Sequence, residues 1–98
     1  MSGEQLLCQA EMLLSEVRTA CTDASAYIKS KNSAEAREAL DRAENRIFVL
    51  RGCLVAARCL DADKRTVNML RDNVAQACTE YALQERALND RYRTGVMR

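Results

Sequence analysis

Apolar residues recur at heptad spacing along three long segments, and this pattern constrains the fold more than any other feature of the chain. The first segment carries two interleaved series with that spacing: Leu7, Leu14, Cys21 and Ile28, and Ala10, Val17 and Ala24. A stripe of this kind covers one face of an α-helix that packs lengthwise against another helix. Further apolar residues widen the stripe on one flank: Leu6, Leu13, Ala20 and Tyr27. We therefore expect this helix to contact two neighbours.

The second and third segments carry comparable stripes. Apolar residues of the second segment alternate at spacings of four and three: Ala36, Leu40, Ala43, Ile47, Leu50, Leu54 and Ala57. Those of the third segment are Val67, Leu70, Val74, Ala77, Cys78, Tyr81, Leu88 and Tyr92. The polar run Gln84-Glu85-Arg86 interrupts this third stripe, so we expect the end of the third helix to fray or to project from the fold.

Two polar breaks, at residues 30–33 and 61–64, separate the segments and predict helices over about 4–31, 34–60 and 64–93. Ser2 and Gln5 have the spacing of a capping box, Asn32 and Glu35 repeat it, and an aspartate is expected to cap the third helix. Breaks this short make neighbouring helices antiparallel. The sequence predicts one all-α domain over residues 1–98, an antiparallel up-down-up three-helix bundle with coiled-coil-like packing. The alternative is a helical hairpin that completes its core by dimerising.

The chain lacks the residue types on which most enzyme sites depend. It contains no histidine, which excludes Ser–His and Cys–His catalysis and the usual zinc sites, and it has no glycine-rich phosphate-binding loop. Its paired carboxylates, such as Glu35 with Glu38 and Asp61 with Asp63, fall at predicted helix starts, where acids stabilise the helix dipole. We expect a protein without catalytic activity, metal or cofactor.

The cysteines are odd in number and have no CxxC spacing: Cys8, Cys21, Cys53, Cys59 and Cys78. We interpret them as small buried hydrophobic residues in a reducing compartment, which predicts a cytoplasmic location.

A net charge of +1 gives no basic footprint for nucleic acid, and no run of about 20 apolar residues predicts a membrane span. The one basic cluster is C-terminal and comprises Arg86, Arg91, Arg93 and Arg98. Cations suit the C-terminal end of a helix dipole. We expect at most a peripheral contact with membrane or phosphate through them.

The apolar run at residues 47–60 is the most informative feature for function, because only Arg51, Gly52 and Arg58 interrupt it. A surface helix is ordinarily polar on the side that faces away from the core. Phe48, Gly52, Val55 and Cys59 form a second stripe, spaced four, three and four. Two interpretations stay open. The second helix needs this second stripe to reach both other helices, or part of it remains exposed as a surface for a partner or for self-association. The residues of that candidate surface are Phe48, Val49, Gly52, Val55, Ala56 and Cys59.

The second segment also contains the run Ala36-Arg37-Glu38-Ala39-Leu40-Asp41-Arg42-Ala43-Glu44, and a short charged break and an Arg-rich third segment with periodic Leu and Tyr follow it. This layout, over residues 10–93, resembles the N-terminal three-helix domain of Qb-class SNARE proteins of the vesicle-transport type. The chain has neither the SNARE motif nor the membrane anchor of that family, which implies a fragment or a shortened relative. The resemblance implies binding to trafficking adaptors.

These observations predict a non-enzymatic protein–protein interaction module, for which the resemblance implies a role in membrane trafficking. The alternative is a structural coiled-coil subunit, or a small helical chaperone, of a cytoskeletal, kinetochore or secretion complex. Either kind of protein has protein partners, a second copy of itself included. A nucleic-acid or membrane-surface binder that uses the C-terminal arginines is the third possibility, and balanced charge elsewhere disfavours it.

Overall fold

The computed structural model describes the backbone of residues 2–96 and the side chains of residues 2–91. Within that range α1 spans Gly3–Lys29, α2 spans Ser33–Cys59 and α3 spans Lys64–Val96. Each predicted helix end lies within three residues of the observed one. The side chains of Tyr92 and Arg93, and the whole of Arg98, lie outside the described residues, so the predictions made for them stay predictions.

All three pairs of helices pack against each other. The molecule measures 54 × 18 × 15 Å, and a helix of 27 residues is about 40 Å long, so the helices must lie side by side along the long axis. The connections are only residues 30–32 and 60–63, which reverse the chain between neighbours. The predicted all-α, up-down-up three-helix bundle is therefore confirmed.

The helix starts follow the capping prediction at two of three places. At α1 the Gln5 backbone N–H donates to Ser2 Oγ (3.3 Å) and the Ser2 backbone N–H donates to Gln5 Oε1 (2.8 Å), which is the predicted capping box. At α3 the Thr66 N–H donates to Asp63 Oδ1 (3.4 Å), and hydrogen bonding from Thr66 lowers the pKa of the Asp63 carboxyl. The second predicted capping box is wrong, because the Asn32 side chain makes no capping hydrogen bond.

The two helix ends explain that difference. After α1 the Asn32 N–H donates to Tyr27 O (2.8 Å) and the Lys31 N–H to Ile28 O (3.1 Å), which is a Schellman motif. Asn32 thus has φ −102° and ψ 77°, instead of the extended backbone from which an N-cap side chain reaches its helix. After α2 the Ala62 N–H donates to Ala57 O and the Asp61 N–H to Arg58 O in the same way.

Lys31 and Asp61 hold the left-handed position of these two motifs, with φ of 63° and 57°. Glycine is the usual residue there, since a Cβ makes this conformation unfavourable. The chain thus reverses direction twice without a glycine at the left-handed position.

The core runs the length of the bundle as two clusters. The larger one joins α1, the C-terminal half of α2 and the first half of α3, and includes Leu14, Val17, Leu50 and Leu70. The smaller one is formed by Ala24, Ile28, Ala36, Ala39, Leu40 and Leu88. Leu88 is only 1% exposed, so the expectation that α3 projects beyond Gln84 is wrong up to that residue. The reason is that Leu88 lies seven residues after Tyr81 and returns to the same helix face.

Helix α2 reaches both neighbours with one face. Its buried residues are Ala36, Ala39, Leu40, Ala43, Ile47, Leu50, Cys53 and Ala57. These include all of the predicted stripe except Leu54, which is half-buried, while Cys53 is buried beside it. The opposite face of α2 is not needed for the core.

Candidate protein-interaction surface

The exposed large apolar side chains of the described residues are concentrated on α2. Seven such side chains are exposed, and four of them, Phe48, Val49, Val55 and Leu60, lie between positions 48 and 60. Phe48 is 78% exposed and Val55 is 56% exposed. Phe48 is also the only phenylalanine of the chain. The interpretation in which the second stripe is buried between helices is therefore wrong for these side chains.

The helical repeat brings four of the six predicted site residues onto one ridge. At about 100° per residue, Phe48, Gly52, Val55 and Cys59 point in nearly the same direction, away from the core face. All four are exposed. Val49 is 42% exposed and Ala56 is half-buried against the core cluster, and both lie beside these four residues on the side of α1. We call all six residues together the α2 ridge.

Leu60 belongs beside this surface and was missed by the sequence prediction. It is 55% exposed at the C-cap of α2, where its backbone N–H donates to Ala56 O. The sequence did carry a signal, since Leu60 ends the apolar run that begins at Ile47. It has no place in either helical stripe, because it follows the last helical residue.

Gly52 lies in the middle of the α2 ridge, and nothing in the fold requires a glycine there. A Cβ built on it would meet no atom within 4 Å. A glycine within a helix costs about 1 kcal/mol relative to alanine. Its effect on the surface is to leave a notch between Phe48 and Val55.

A groove between α2 and α3 borders the α2 ridge on its other side. It is lined by Glu44, Asn45, Ile47, Phe48 and Arg51 of α2 and by Cys78, Tyr81 and Glu85 of α3. The Tyr81 hydroxyl lies 2.9 Å from Glu44 Oε2 and 2.8 Å from Glu85 Oε2, and its single proton can be donated to either carboxylate. Burial, followed by these two carboxylates, raises the pKa of Tyr81 well above its ordinary value. The phenol therefore stays protonated and joins α2 to α3.

Four of the five arginines of α2 fall into two groups. Arg42 and Arg46 form ion pairs with Asp23 and Glu16 of α1. Arg51 and Arg58 flank the α2 ridge, and neither has a carboxylate within ion-pair distance among the described residues. Arg51 donates to the sulfur of Cys78, at 3.4 Å, and lines the same groove as Glu44 and Glu85. The ridge is thus bordered toward α3 by two arginines that form no ion pair among the described residues.

The cysteines do not form one class, which corrects the prediction that all are buried. Cys21 and Cys53 are buried, and burial raises the pKa of both thiols. Cys78 is half-buried, while Cys8 and Cys59 are exposed. The prediction was wrong for these last two because their positions lie off the apolar stripes that define the core. All five are free thiols.

The C-terminal basic cluster is described only in part. Arg86 and Arg91 are exposed on α3. No group of three or more His, Cys, Asp or Glu side chains that could hold a metal ion occurs in the described part of the chain. None of the helices, as far as they are described, is long and apolar enough to cross a membrane.

Fold and surface together define a class: a small all-α bundle whose distinctive feature is an exposed apolar ridge on one helix. No family model, no curated protein and no solved structure matches this chain. The resemblance to the SNARE N-terminal domain therefore stays a prediction, and the α2 ridge is interpreted from its own chemistry.

Proposed function

We propose that this protein is a non-enzymatic interaction module that docks a protein partner on the α2 ridge. The observation that carries the proposal is the exposure of Phe48 and Val55 on the side of α2 that faces away from the core. Burying an apolar side chain of this size is worth about 1.5–3 kcal/mol, and exposed apolar patches mark binding surfaces. A partner that covers the ridge gains this free energy without any change in the bundle.

A role as an adaptor-binding domain in membrane trafficking is the more specific form of this proposal. The resemblance of the three-helix layout to the SNARE N-terminal domain supports it, and five free thiols fit a reducing, cytoplasmic compartment. The alternative is a structural subunit whose α2 ridges associate with each other in a coiled coil. Both functions use the same surface and differ in its occupant.

The first experiment measures molar mass in solution by light scattering, for the wild-type protein and for Phe48→Glu/Val55→Glu, with helicity checked by circular dichroism. A matched control, Asp41→Ala/Asn45→Ala, changes the polar half of the same outward face. The proposal expects a monomeric wild type and two folded variants. A wild-type dimer that the ridge variant splits would establish the structural subunit instead. Loss of helicity in the ridge variant alone would mean that the ridge is part of the core.

The second experiment identifies what contacts the ridge. A benzophenone amino acid replaces Val55 in one version of the protein and Asp41 in another, and both are irradiated in extracts of cells that express the protein. Crosslinks to a discrete protein from position 55 but not from position 41 are expected. Equal crosslinking from both positions, or none from position 55, would contradict docking on the ridge.

A further inference from the structure

We propose that the occupant of the α2 ridge is an amphipathic helix of another protein that carries acidic side chains along one edge. This inference rests on the proposed function and deepens it. The partner helix inserts two large aliphatic side chains on consecutive turns and places its acids beside Arg51 and Arg58.

The exposed face of α2 has the geometry that receives side chains from a helix. In helix-to-helix packing, a side chain of one helix enters a hole formed by residues i, i+3, i+4 and i+7 of the other. Two such holes overlap on this face: Phe48-Arg51-Gly52-Val55 and Gly52-Val55-Ala56-Cys59. The two holes comprise six positions, five of which are ridge residues, and all six are exposed except for half-buried Ala56.

Gly52 belongs to both holes and makes both of them deep. Because an added Cβ would meet nothing within 4 Å, the space above Gly52 is open to an incoming side chain. A large aliphatic residue of the partner fits there between Phe48 and Val55. The two holes are displaced by four residues, or about 6 Å, which matches side chains three or four residues apart on a partner helix.

The charges beside the α2 ridge determine which edge of the partner helix is acidic. On the α3 side the ridge is bordered by Arg51 and Arg58, seven residues apart and without an ion pair among the described residues. Glu44 and Glu85 line the groove beside Arg51, where either can accept the proton of the Tyr81 hydroxyl. On the α1 side the edge of the ridge is formed by its own members Val49 and Ala56, which carry no charge. A complementary helix therefore has acidic residues on the first edge and apolar or neutral residues on the second.

A second copy of this chain fits less well than such a partner. If two α2 helices paired antiparallel about a two-fold axis, equivalent edges would meet, and Arg51 and Arg58 of one copy would face the same arginines of the other. If the helices paired in parallel, Phe48 would face Phe48 and Gly52 would face Gly52, which leaves an unfilled gap beside a crowded contact. Like-charge contacts and gaps both oppose association.

The probe is a phage-displayed library of helical peptides of about 20 residues, or about 30 Å. The stripe positions and the positions along one edge are randomised. The baits are the wild-type protein and Gly52→Leu, Arg51→Glu/Arg58→Glu, Phe48→Glu/Val55→Glu and the control Asp41→Ala/Asn45→Ala. Circular dichroism establishes that each bait is folded, which the open space around Gly52 and the exposure of the other sites lead us to expect.

The wild type should enrich peptides with Leu, Ile or Met at two positions three or four apart and with Asp or Glu along the edge. A selected peptide should bind Gly52→Leu at least about tenfold more weakly, because the added side chain fills both holes. It should bind Arg51→Glu/Arg58→Glu about threefold to tenfold more weakly, since exposed ion pairs are individually weak. The charge-reversed bait should select Lys or Arg along the edge and keep the aliphatic pair. The control bait should behave as the wild type does.

Other results overturn the inference, and they separate it from the proposed function. Aliphatic peptides without an acidic edge, or with undiminished affinity for Gly52→Leu, would contradict the partner chemistry and leave the ridge as the docking surface. Equal selection on the Phe48→Glu/Val55→Glu bait would refute the ridge itself and thus both proposals. If no peptide were enriched above the bare resin, or if the wild-type protein were a dimer, the proposal of a helical partner would be wrong. The crosslinking experiment at position 55 would then still test the proposed function independently.

Discussion

The two halves of α2 have the same inner face and different outer faces. In both halves the inner face is fully buried aliphatic packing, as at Leu40 in the first half and Leu50 in the second, each 0% exposed. On the outer face the first half presents Arg37, Asp41 and Asn45, whereas the second half presents the apolar α2 ridge. The bundle therefore buries the inner face of both halves and covers the outer face of neither.

The apolar character of the second half of α2 therefore has no explanation inside the fold. A charged outer face is the ordinary outcome for a helix that packs on one side. An apolar outer face raises the risk of unspecific association and adds nothing to the core. Its cost is offset only when another molecule covers it, which is the basis of the proposed function.

Two buried leucines, one in each half of α2, test whether the inner faces of the two halves are equivalent. Leu40→Ala and Leu50→Ala should each lower the free energy of unfolding by about 2–5 kcal/mol, because each removes a fully buried side chain and leaves a cavity. Urea denaturation followed by circular dichroism measures both. Phe48→Ala is the matched control and should change the free energy by less than about 0.5 kcal/mol. If Phe48→Ala lowered the free energy of unfolding as much as Leu50→Ala does, the distinction between inner and outer faces would be wrong.

The two turns that bound α2 give the next comparison. Lys31→Gly before the first half and Asp61→Gly after the second half should each raise the free energy of unfolding by about 1 kcal/mol, since glycine adopts positive φ without steric cost. Thermal and urea unfolding both report the gain. Lys29→Gly, within regular helix, should destabilise instead. A destabilising effect at either turn would show that the residue there contributes more than its backbone conformation.

Tyr81 lies where the two halves meet, because it hydrogen-bonds Glu44 of α2 from α3. Tyr81→Phe should cost about 0.5–1.5 kcal/mol at neutral pH through the lost hydroxyl contacts. The raised pKa of Tyr81 adds a pH dependence: the folded protein keeps this proton where the unfolded chain begins to lose it, so stability falls as pH rises above about 10. Urea titrations at several alkaline pH values should give a shallower fall for Tyr81→Phe than for wild type or the control Tyr27→Phe. Identical pH slopes for all three would contradict a raised pKa.

The smallest expected effect concerns Gly52, at the centre of the apolar half. Gly52→Ala should raise the free energy of unfolding by about 0.5–1 kcal/mol, because alanine favours helix and its Cβ meets no other atom. Denaturation curves of this variant and of Ala34→Gly, which makes the reverse change near the start of the polar half, would measure the gain and a corresponding loss. A destabilised Gly52→Ala would mean that the outer face of the second half is constrained by the bundle after all.

Sequence reasoning succeeded where a feature depends on local periodicity. The heptad series through Leu14 and Leu50 predicted three helices, and the short breaks predicted their reversal of direction. The second apolar stripe of α2 departs from the polar pattern of a surface helix, and the exposure of Phe48 and Val55 agrees with one of the two interpretations of that stripe. That a partner binds there stays a prediction. Sequence reasoning went wrong where one residue had to satisfy two demands, as at Asn32, whose backbone completes the end of α1 and so cannot place its side chain to cap α2.

The spacing of apolar residues along a helix of known pitch was enough to predict the secondary structure, the chain reversals and the main apolar stripe of each helix. The packing of the three helices was needed to show that the second stripe of α2 stays exposed instead of being buried as well. It also decided that Tyr81 joins Glu44 to Glu85, and that Arg51 and Arg58 have no carboxylate partner among the described residues. The physical reason is that a helix presents both faces to any neighbour, and only the rotation of three helices against one another selects the face that is buried.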